Sequence, residues 1–462
     1  MNIKETFVKY MEEAIGHENA LVAFSAFEQD ASVSIRYNPF KAKALMDAPS
    51  AQWNHHGRLL AQRPVFTLDP LFHAGVYYVQ DSSSMFVGHA FREIMKTRSA
   101  PVGRPLRVLD LCAAPGGKTT DLAASLREMY GDAFILVSNE VMKARVGILA
   151  DNVALWGDPN VVVTSDDPKA FASLPGFFDV IVADVPCSGE GMFRKDEEAQ
   201  RQWSVDNVAL CEARQRRIIA DVWPALAPGG VMIYSTCTFN RYENDGNVSW
   251  IEQELGAECI TEENVLKEEG GVIKTDKGYS LVPGLVPGEG QYCSALVKTS
   301  DVDFSQVLST SSKKRGAVQT AQKASVLVGL EKYFSVNVRF RTKADLVTAV
   351  PENIASDVSQ LENCLHVIMA GCAAGMVKGK DFVPNADLAL SLILSADAFP
   401  VADVDVDTAL AFLHRDAVTL QDCEKGFILL RYEGSNLGFV KNIGNRCNNL
   451  HPQSRRIRMN IK

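Results

Sequence analysis

The 462-residue sequence lacks several features that would place a protein at a membrane or outside the cell. It has no run of about 18 apolar residues, so we expect no membrane span. It begins MNIKETFVKYMEEAIGHENA, which lacks the apolar segment of a signal peptide, so we expect a cytoplasmic protein. The 10 cysteines include no CxxC pair, and we therefore expect neither a zinc site nor another metal site. A disulfide scaffold is equally unexpected without an export signal.

An excess of positive charge is also missing. The formal net charge is −9 and the isoelectric point is about 5.5, which taken alone argues against a nucleic acid partner. The last 22 residues differ, because they contain six Lys and Arg residues and no Asp or Glu. A local basic tail of this kind keeps a nucleic acid contact open for the C-terminus.

Residues 107–240 alternate short apolar runs with helical patterns. Apolar runs without strict alternation are typical of strands buried on both faces, and strand–helix alternation predicts an α/β fold with a parallel, doubly wound sheet. The flanking regions do not share this rhythm. The predicted divisions are an N-terminal module, the core, a polar linker, a C-terminal extension and a terminal β-rich unit, at residues 1–100, 101–300, 301–325, 326–400 and 401–462.

Small and acidic residues follow the first strands of this predicted sheet, where ligands of such folds bind. The segment VLDLCAAPGGKTTDL places Asp110 in the first strand and Gly116–Gly117 at the turn into a helix. Glu140 ends the next strand and could accept hydrogen bonds from ribose hydroxyls, while Asp167 follows the third strand. The pattern predicts a nucleoside-containing cofactor. A GxGxxG motif is absent, which disfavours a dinucleotide, but both NAD and S-adenosylmethionine fit these residues.

Two further strand-like runs each end near a cysteine, in DVPCSGEG and in STCTF. In a doubly wound sheet these strands are neighbours, so Cys187 and Cys237 are expected to face the same pocket mouth. Carbon 5 of cytosine becomes nucleophilic when a thiolate adds to carbon 6 and an acid protonates N3. This chemistry needs a nucleophilic cysteine, a carboxylic acid and a second group that handles protons. Asp184 and the two cysteines supply these types.

The motifs DLCAAPGGKT, DVPCSGEG and STCTF, in this order, resemble the NOL1/NOP2/Sun family of RNA (cytosine-C5) methyltransferases. YYVQDSSSM resembles the family's segment before the first strand. The tail GFVKNIGNRCNNLHPQSRRIR is similar to the PUA-like region of the bacterial 16S ribosomal RNA cytosine-C5 methyltransferase F branch. The resemblance implies a Rossmann-like methyltransferase core that uses S-adenosylmethionine, with RNA-binding modules at both ends.

The resemblance also implies a role for each matching residue. Cys237 would be the nucleophile, Cys187 would assist product release, and Asp184 would be the acid that contacts N3. Lys118 could contact either the cofactor or the nucleic acid. Pro168 stands where relatives often have glycine, which weakens the assignment of Asp167. The residues expected to bind the cofactor are Ala113, Ala114, Pro115, Gly116, Gly117, Lys118, Glu140, Asp167 and Asp184.

The expected partner is ribosomal RNA or the small ribosomal subunit, bound by a monomer. A tRNA methyltransferase of the same chemistry and a non-catalytic ribosome-assembly factor remain open as alternatives. Smaller features are also open: Arg194 and Lys195 could bind phosphate or lie in solvent, and the segment around Gln80 could shape the pocket or cap a helix. Cys112, Cys211 and Cys293 are expected to be core residues.

Overall fold

The computed structural model describes residues 5–260, 270–299, 327–379, 381–421 and 423–461. The predicted linker at 301–325 lies outside the described residues. The predicted division into domains stays a prediction.

The N-terminal region contains two helices followed by a small antiparallel sheet, in the strand order β2-β3-β1-β4. In this sheet β1 pairs with both β3 and β4. Arg36 on β1 and Gln80, the residue directly after β4, lie beside the central region of the protein. The elements are α1 (Glu5–Ile15), α2 (His17–Phe27), β1 (Val33–Tyr37), β2 (Ser50–Ala51), β3 (Asn54–Leu60), α3 (Pro70–His73), β4 (Tyr77–Val79) and α4 (Met85–Lys96).

A central sheet follows, and it confirms the predicted α/β class. Its parallel strands have the order β7-β6-β5-β8-β9, and β13 pairs with β9 in the antiparallel direction. The elements are β5 (Leu106–Asp110), α5 (Gly117–Tyr130), β6 (Phe134–Asn139), α6 (Lys143–Trp156), β7 (Val161–Thr164), β8 (Phe178–Asp184), α7 (Glu197–Gln202), α8 (Val205–Val222), β9 (Leu226–Thr236), α9 (Asp245–Leu255), β10 (Ala257–Cys259), β11 (Ile273–Lys274), β12 (Tyr279–Leu281) and β13 (Gln291–Lys298).

The sequence pattern explains why this sheet is central. All six residues of β6 and all four of β7 are buried, as expected for strands covered by helices on both faces. β5 has β6 on one side and β8 on the other. The chain adds β6 and β7 on one side of β5 and then β8 and β9 on its other side, so the strand order reverses at β5. Ligands of such sheets bind at the carboxyl ends of the strands beside that reversal.

The C-terminal region is rich in β-structure, as predicted, but part of it joins the central sheet. β16 pairs antiparallel with β7, and the remaining strands form two four-stranded sheets in the orders β14-β15-β17-β18 and β19-β20-β21-β22. The elements are β14 (Val338–Lys343), β15 (Leu346–Pro351), α10 (Ala355–Cys364), β16 (Val367–Ala370), β17 (Cys372–Lys378), β18 (Asp381–Pro384), α11 (Ala386–Leu390), β19 (Val401–Asp403), α12 (Val406–His414), β20 (Gly426–Tyr432), β21 (Ser435–Asn442) and β22 (Cys447–Asn449). Within the described ranges, no helix has the length and apolar character needed to cross a membrane.

Candidate active site

The two motif cysteines lie together at the carboxyl ends of β8 and β9. These strands are parallel neighbours, and their register pairs Asp184 with Ser235. Cys187 and Cys237 therefore leave the sheet side by side, and their sulfur atoms are 3.1 Å apart. Both residues are partly exposed. The predicted proximity of the two thiols is present in the structure.

The contact between the two sulfurs affects the pKa of Cys187. The hydrogen bond to Cys237 and burial both raise the pKa of the Cys187 thiol well above its usual value. Cys187 is therefore a neutral thiol at neutral pH, and either sulfur could donate in the Sγ–Sγ hydrogen bond.

Asp184 lies at the end of β8 and contacts groups from three other elements. Its Oδ2 accepts a 2.9 Å hydrogen bond from Lys118 Nζ, and its Oδ1 accepts from Ser235 Oγ at 2.9 Å and from Gln291 Nε2 at 3.2 Å. Burial opposes the charged form of Lys118, but the neighbouring Asp184 carboxylate outweighs burial and raises the pKa of the lysine. The side chains form a charged pair beside the thiols.

The turn between β5 and α5 is held open by backbone geometry and by α6. Gly116 has a φ of 113°, which L-residues with side chains rarely adopt. Ala113 N–H donates to Asn139 O at 2.8 Å, Asn152 Nδ2 donates to Pro115 O at 2.8 Å, and an Arg145 guanidinium N–H donates to Ala114 O. These bonds keep the turn away from the strand end and leave a space above it.

That space is an open pocket of about 530 Å³. It joins the β5–α5 turn to Lys118 and Asp184, and the N-terminal sheet closes its other side. The lining residues are Tyr78, Val79, Gln80, Asp81, Ser84, Cys112, Ala113, Ala114, Pro115, Gly117, Lys118 and Asp184.

A buried acid lies at the end of β5, beside this pocket. Asp110 is fully buried, and burial raises its pKa to about 7, with Asp184 acting in the same direction. Thr119 Oγ1 donates to Asp110 Oδ2 at 2.6 Å, whereas Oδ1 has no hydrogen-bond partner. A buried acceptor without a partner is costly and is typical of a site that a ligand completes.

Three predicted cofactor residues do not line the pocket. Gly116 forms the turn below it. Glu140 is buried, and its carboxylate accepts from Met142 N–H at 2.8 Å and lies 3.4 Å from Arg145 Nη1. Asp167 is half exposed and caps the 3-10 helix Pro168–Ser173 by accepting from Lys169 N–H. The proline that follows Asp167 starts that helix, so the departure noted in the sequence has a local structural effect.

The N-terminal segment contributes to the pocket through a buried arginine. Arg36 Nε donates to Gln80 Oε1 at 2.7 Å, and an Nη donates to Thr120 Oγ1 at 2.6 Å. The guanidinium also lies 4.7 Å from the centre of the Trp156 ring. Gln80 is thereby fixed with its amide nitrogen towards Ser84, at 3.2 Å. The segment around Gln80 thus shapes the pocket, and Ser84 makes no side-chain cap to α4.

The structure bears on two other sequence interpretations. For Arg194, left open between phosphate binding and a solvated side chain, it shows a nearly buried side chain that forms an ion pair with Glu289 at 2.7 Å. Cys211 and Cys293 are core residues as expected, but Cys112 is only partly buried and lines the pocket. Its position directly after the β5 strand end explains this exposure.

Sequence reasoning missed a polar network behind the two cysteines. Ser188 Oγ lies 2.9 Å from Thr238 Oγ1, and two glutamates, Glu190 and Glu243, are buried next to them. The motif SGEG contains Glu190, but nothing in its local pattern indicates that this glutamate is buried. Elsewhere in the described ranges, His55, His56 and Glu128 place three possible metal-ligating atoms within 4.8 Å of one another, at the far end of α5 from the pocket.

Family models match three parts of the chain. Residues 102–297 match "16S rRNA methyltransferase RsmB/F", residues 3–82 match "N-terminal domain of 16S rRNA methyltransferase RsmF", and residues 399–457 match "Methyltransferase RsmF PUA domain". The matches fall on the central sheet, the N-terminal region and the last β-sheet.

Curated relatives extend the similarity over most of the chain. "Ribosomal RNA small subunit methyltransferase F" of Vibrio vulnificus (strain YJ016) is 30% identical over 394 residues, covering 82% of this chain and 79% of the relative. The protein of the same name from Enterobacter sp. (strain 638) is 27% identical, covering 82% and 77%.

Solved structures support the fold alone. "The crystal structure of NSun6 from Pyrococcus horikoshii with SFG" has a TM-score of 0.52 at 17% identity and covers 65% of this chain and 99% of that one. A methyltransferase homologue from the same organism has a TM-score of 0.53 at 22% identity, covering 64% and 96%. The recurrence of three family models in order, together with a relative at 30% identity, shows that this chain belongs to the family of ribosomal RNA small subunit methyltransferase F.

Proposed function

We propose that this protein methylates carbon 5 of a cytosine in 16S ribosomal RNA, with S-adenosylmethionine as methyl donor and a covalent bond between Cys237 and carbon 6. The observation that carries the proposal is the pair of cysteine sulfurs at 3.1 Å, beside the Lys118–Asp184 pair. The RNA substrate is supported by similarity to relatives named as ribosomal RNA small subunit methyltransferases.

The pocket residues fit S-adenosylmethionine. Asp184 offers a carboxylate and Asp110 an unpartnered Oδ1 beside the pocket, and the small residues of the β5–α5 turn leave room for a nucleoside next to them. Ala113–Pro115, Gly117 and Lys118 would hold the cofactor, with Glu140 and Asp167 as more distant candidates. When bound, S-adenosylmethionine supplies the methyl group that carbon 5 receives.

The first step assigned to the protein is addition to the base. The Cys237 thiol releases its proton to solvent as Sγ forms a bond to carbon 6, and the electrons of the carbon 5–carbon 6 double bond move into the ring. N3 takes a proton from the Lys118–Asp184 pair and returns it after carbon 5 has been methylated. Carbon 5 becomes nucleophilic only while Cys237 is attached.

The second step assigned to the protein is release. Cys187 Sγ accepts the proton on carbon 5 while its own proton passes to the sulfur of Cys237. The electron pair of the broken carbon–hydrogen bond restores the double bond, and the bond between carbon 6 and Cys237 breaks. The short Sγ–Sγ distance supports this relay, because one thiol proton can reach the leaving sulfur directly.

We assign RNA recognition to the two ends of the chain. We expect the reaction to take place in the cytoplasm. A target cytosine must leave its stack to reach a recessed thiol. Arg455 is unsuited to phosphate, since it is mostly buried and binds Asp151 and Asp387. Lys441, Arg446, Arg456 and Arg458 are exposed in the C-terminal unit and are better candidates for phosphate contacts.

The proposal predicts a difference between the two cysteine variants. Cys237→Ala should abolish methyl transfer and form no adduct, whereas Cys187→Ala should form the adduct and release it slowly, which a denaturing gel shows as a shifted RNA band. Cys364→Ala, a partly exposed cysteine on α10, is the matched control. An adduct in Cys237→Ala would overturn the choice of nucleophile.

The substrate is tested in the same assay with labelled S-adenosylmethionine. Assembled small subunits, naked ribosomal RNA and tRNA are compared, and label in ribosomal RNA is expected. Label in tRNA alone would replace the proposal with a tRNA methyltransferase. Binding of S-adenosylmethionine without label in any sample would favour a non-catalytic assembly factor.

A further inference from the structure

Two buried carboxylates stand behind the cysteine pair. Glu190 belongs to the loop after Cys187 and is 1% exposed, while Glu243 belongs to the segment after Cys237 and is 0% exposed. Within the part of the chain that the structure describes, neither acid forms an ion pair. Their only hydrogen-bond donors there are neutral groups.

Glu190 is held by N–H groups from the neighbouring cysteine segment. Its Oε2 accepts from Phe239 N–H at 2.6 Å and from Asn240 N–H at 3.1 Å. Its Oε1 accepts from Asn240 Nδ2 at 2.9 Å and from Trp203 Nε1 at 2.8 Å. Three of these four donors belong to Phe239 and Asn240, the second and third residues after Cys237.

Glu243 makes the reverse connection. Its Oε2 accepts from Ser188 N–H at 3.0 Å, directly after Cys187, and from Gln215 Nε2 at 2.7 Å. Its Oε1 accepts from Asn240 Nδ2 at 2.8 Å. Each cysteine loop therefore provides a carboxylate that the other loop's N–H groups bind, and the amide of Asn240 contacts both acids.

Two shorter connections lie closer to the sulfurs. Ser188 Oγ and Thr238 Oγ1, on the residues directly after the two cysteines, are 2.9 Å apart. Gly191 N–H donates to Cys237 O at 2.7 Å. The two loops are thus joined at several points over a few residues.

This arrangement makes the free energy of folding less favourable, so stability alone does not account for it. Buried acids without cations pay a desolvation cost, and apolar residues of similar size would avoid it. The cost is visible at Glu243, where burial and then repulsion from Glu190 raise the pKa to about 7. What the acids provide instead is directional: several fixed N–H···O bonds between the two loops.

We propose that Glu190 and Glu243 are a reciprocal pair of positioning residues that hold the loops of Cys187 and Cys237 in register, so that the Cys187 sulfur stays within reach of the Cys237 sulfur during release. This inference rests on the proposed function for its kinetic consequence. The positioning itself concerns only the two sulfurs and can be measured without RNA.

The kinetic test uses Glu190→Gln and Glu243→Gln under single-turnover conditions. Glutamine keeps the size but turns one acceptor oxygen into an NH2 group that faces N–H donors. A misplacement of about 1 Å can cost ~100-fold in rate, so release is expected to slow by up to that factor, while adduct formation slows less. Asp357→Asn is the matched control, because Asp357 is a buried acid bound to Arg107 at the start of β5, the end of the strand opposite the pocket.

The activity-independent test is thiol–disulfide exchange with oxidised glutathione. One glutathione disulfide oxidises the two thiols to a disulfide and yields two reduced glutathione molecules. Thiols held in contact should have a high exchange constant, and each Gln variant should lower it by about 100-fold. Thr238→Val, which removes one hydroxyl but keeps the shape, should act in the same direction and serves if a Gln variant does not fold.

The outcomes separate the two proposals. Unchanged exchange constants in the folded variants, or no disulfide in the wild type, would overturn the positioning role. Lowered constants in the variants of a wild-type protein that methylates no RNA would support positioning and reject the proposed function. Lowered constants with selectively slow release would support both.

Discussion

Gly191→Ala tests how closely the Cys187 loop must approach Cys237. A Cβ atom at Gly191 would lie 2.6 Å from Cys237 O and 3.0 Å from Glu289 O. Ordinary contact begins at 3.4 Å, so the Cys237 carbonyl would have to move by about 0.8 Å, which is 3.4 minus 2.6. The same Cβ would also press against the Glu289 carbonyl, so two backbone oxygens confine it. The backbone that carries Cys237, the proposed nucleophile, must therefore shift.

The expected results are a loss in methyl transfer approaching ~100-fold and a destabilisation of about 1–3 kcal/mol, from misplacement and overpacking respectively. The assays are single-turnover transfer of labelled methyl groups and denaturant unfolding. Gly147→Ala is the control, because Gly147 is an exposed position of α6 with no atom within 4 Å of the added Cβ. Gly147→Ala should keep full activity and gain up to about 1 kcal/mol of stability. Full activity in Gly191→Ala would refute the argument that this close approach positions Cys237.

Two predictions concern the residues around the pocket. Because the folded pKa of Asp110 is raised from 3.8 to about 7, the folded state binds its proton more tightly than the unfolded state, and stability should fall as the pH rises through that window. Asp110→Asn should remove this pH dependence, which amounts to on the order of 4 kcal/mol at most in the free energy of unfolding. Thermal unfolding at a series of pH values measures it, and an unchanged slope in the variant would contradict the assignment. Arg36→Lys should cost roughly 3 kcal/mol in denaturant unfolding, since a lysine cannot reproduce the fork to Gln80 and Thr120. Exposed Arg201→Lys is its control, and equal stability of the two variants would show that the fork is dispensable.

The proximity of the cysteines could be predicted because it depends on strand order. Once the runs ending at Asp184 and Ser235 are recognised as strands, the doubly wound pattern makes them neighbours, and their ends carry Cys187 and Cys237 to one place. The β5–α5 turn was predictable for the same reason. Regular hydrogen bonding fixes the ends of parallel strands, so residue spacing along the chain translates into position.

The parts that could not be predicted depend on loops and on distant segments. Asp167 follows a strand as expected, but Pro168 starts a 3-10 helix that turns it into a half-exposed cap. Gln291 reaches Asp184 from β13, more than a hundred residues along the chain, and no local pattern indicates that contact. β16 joins the central sheet from beyond the predicted core for the same reason: edge pairing is decided by tertiary contacts.

This sheet geometry explains why Asp184 and the two thiols are held in different ways. The carboxylate accepts hydrogen bonds from Lys118 of α5, Ser235 of β9 and Gln291 of β13, so regular elements on three sides hold the group to which we assign proton transfer. The thiols, in contrast, lie one to three residues beyond their strands, where the ladder no longer fixes the backbone. The proposed proton transfer between the two sulfurs needs those loops as well ordered as the sheet. The buried bonds of Glu190 and Glu243 continue the cross-connection of β8 and β9 past the last strand residues, and this explains why two acids without cations are placed there.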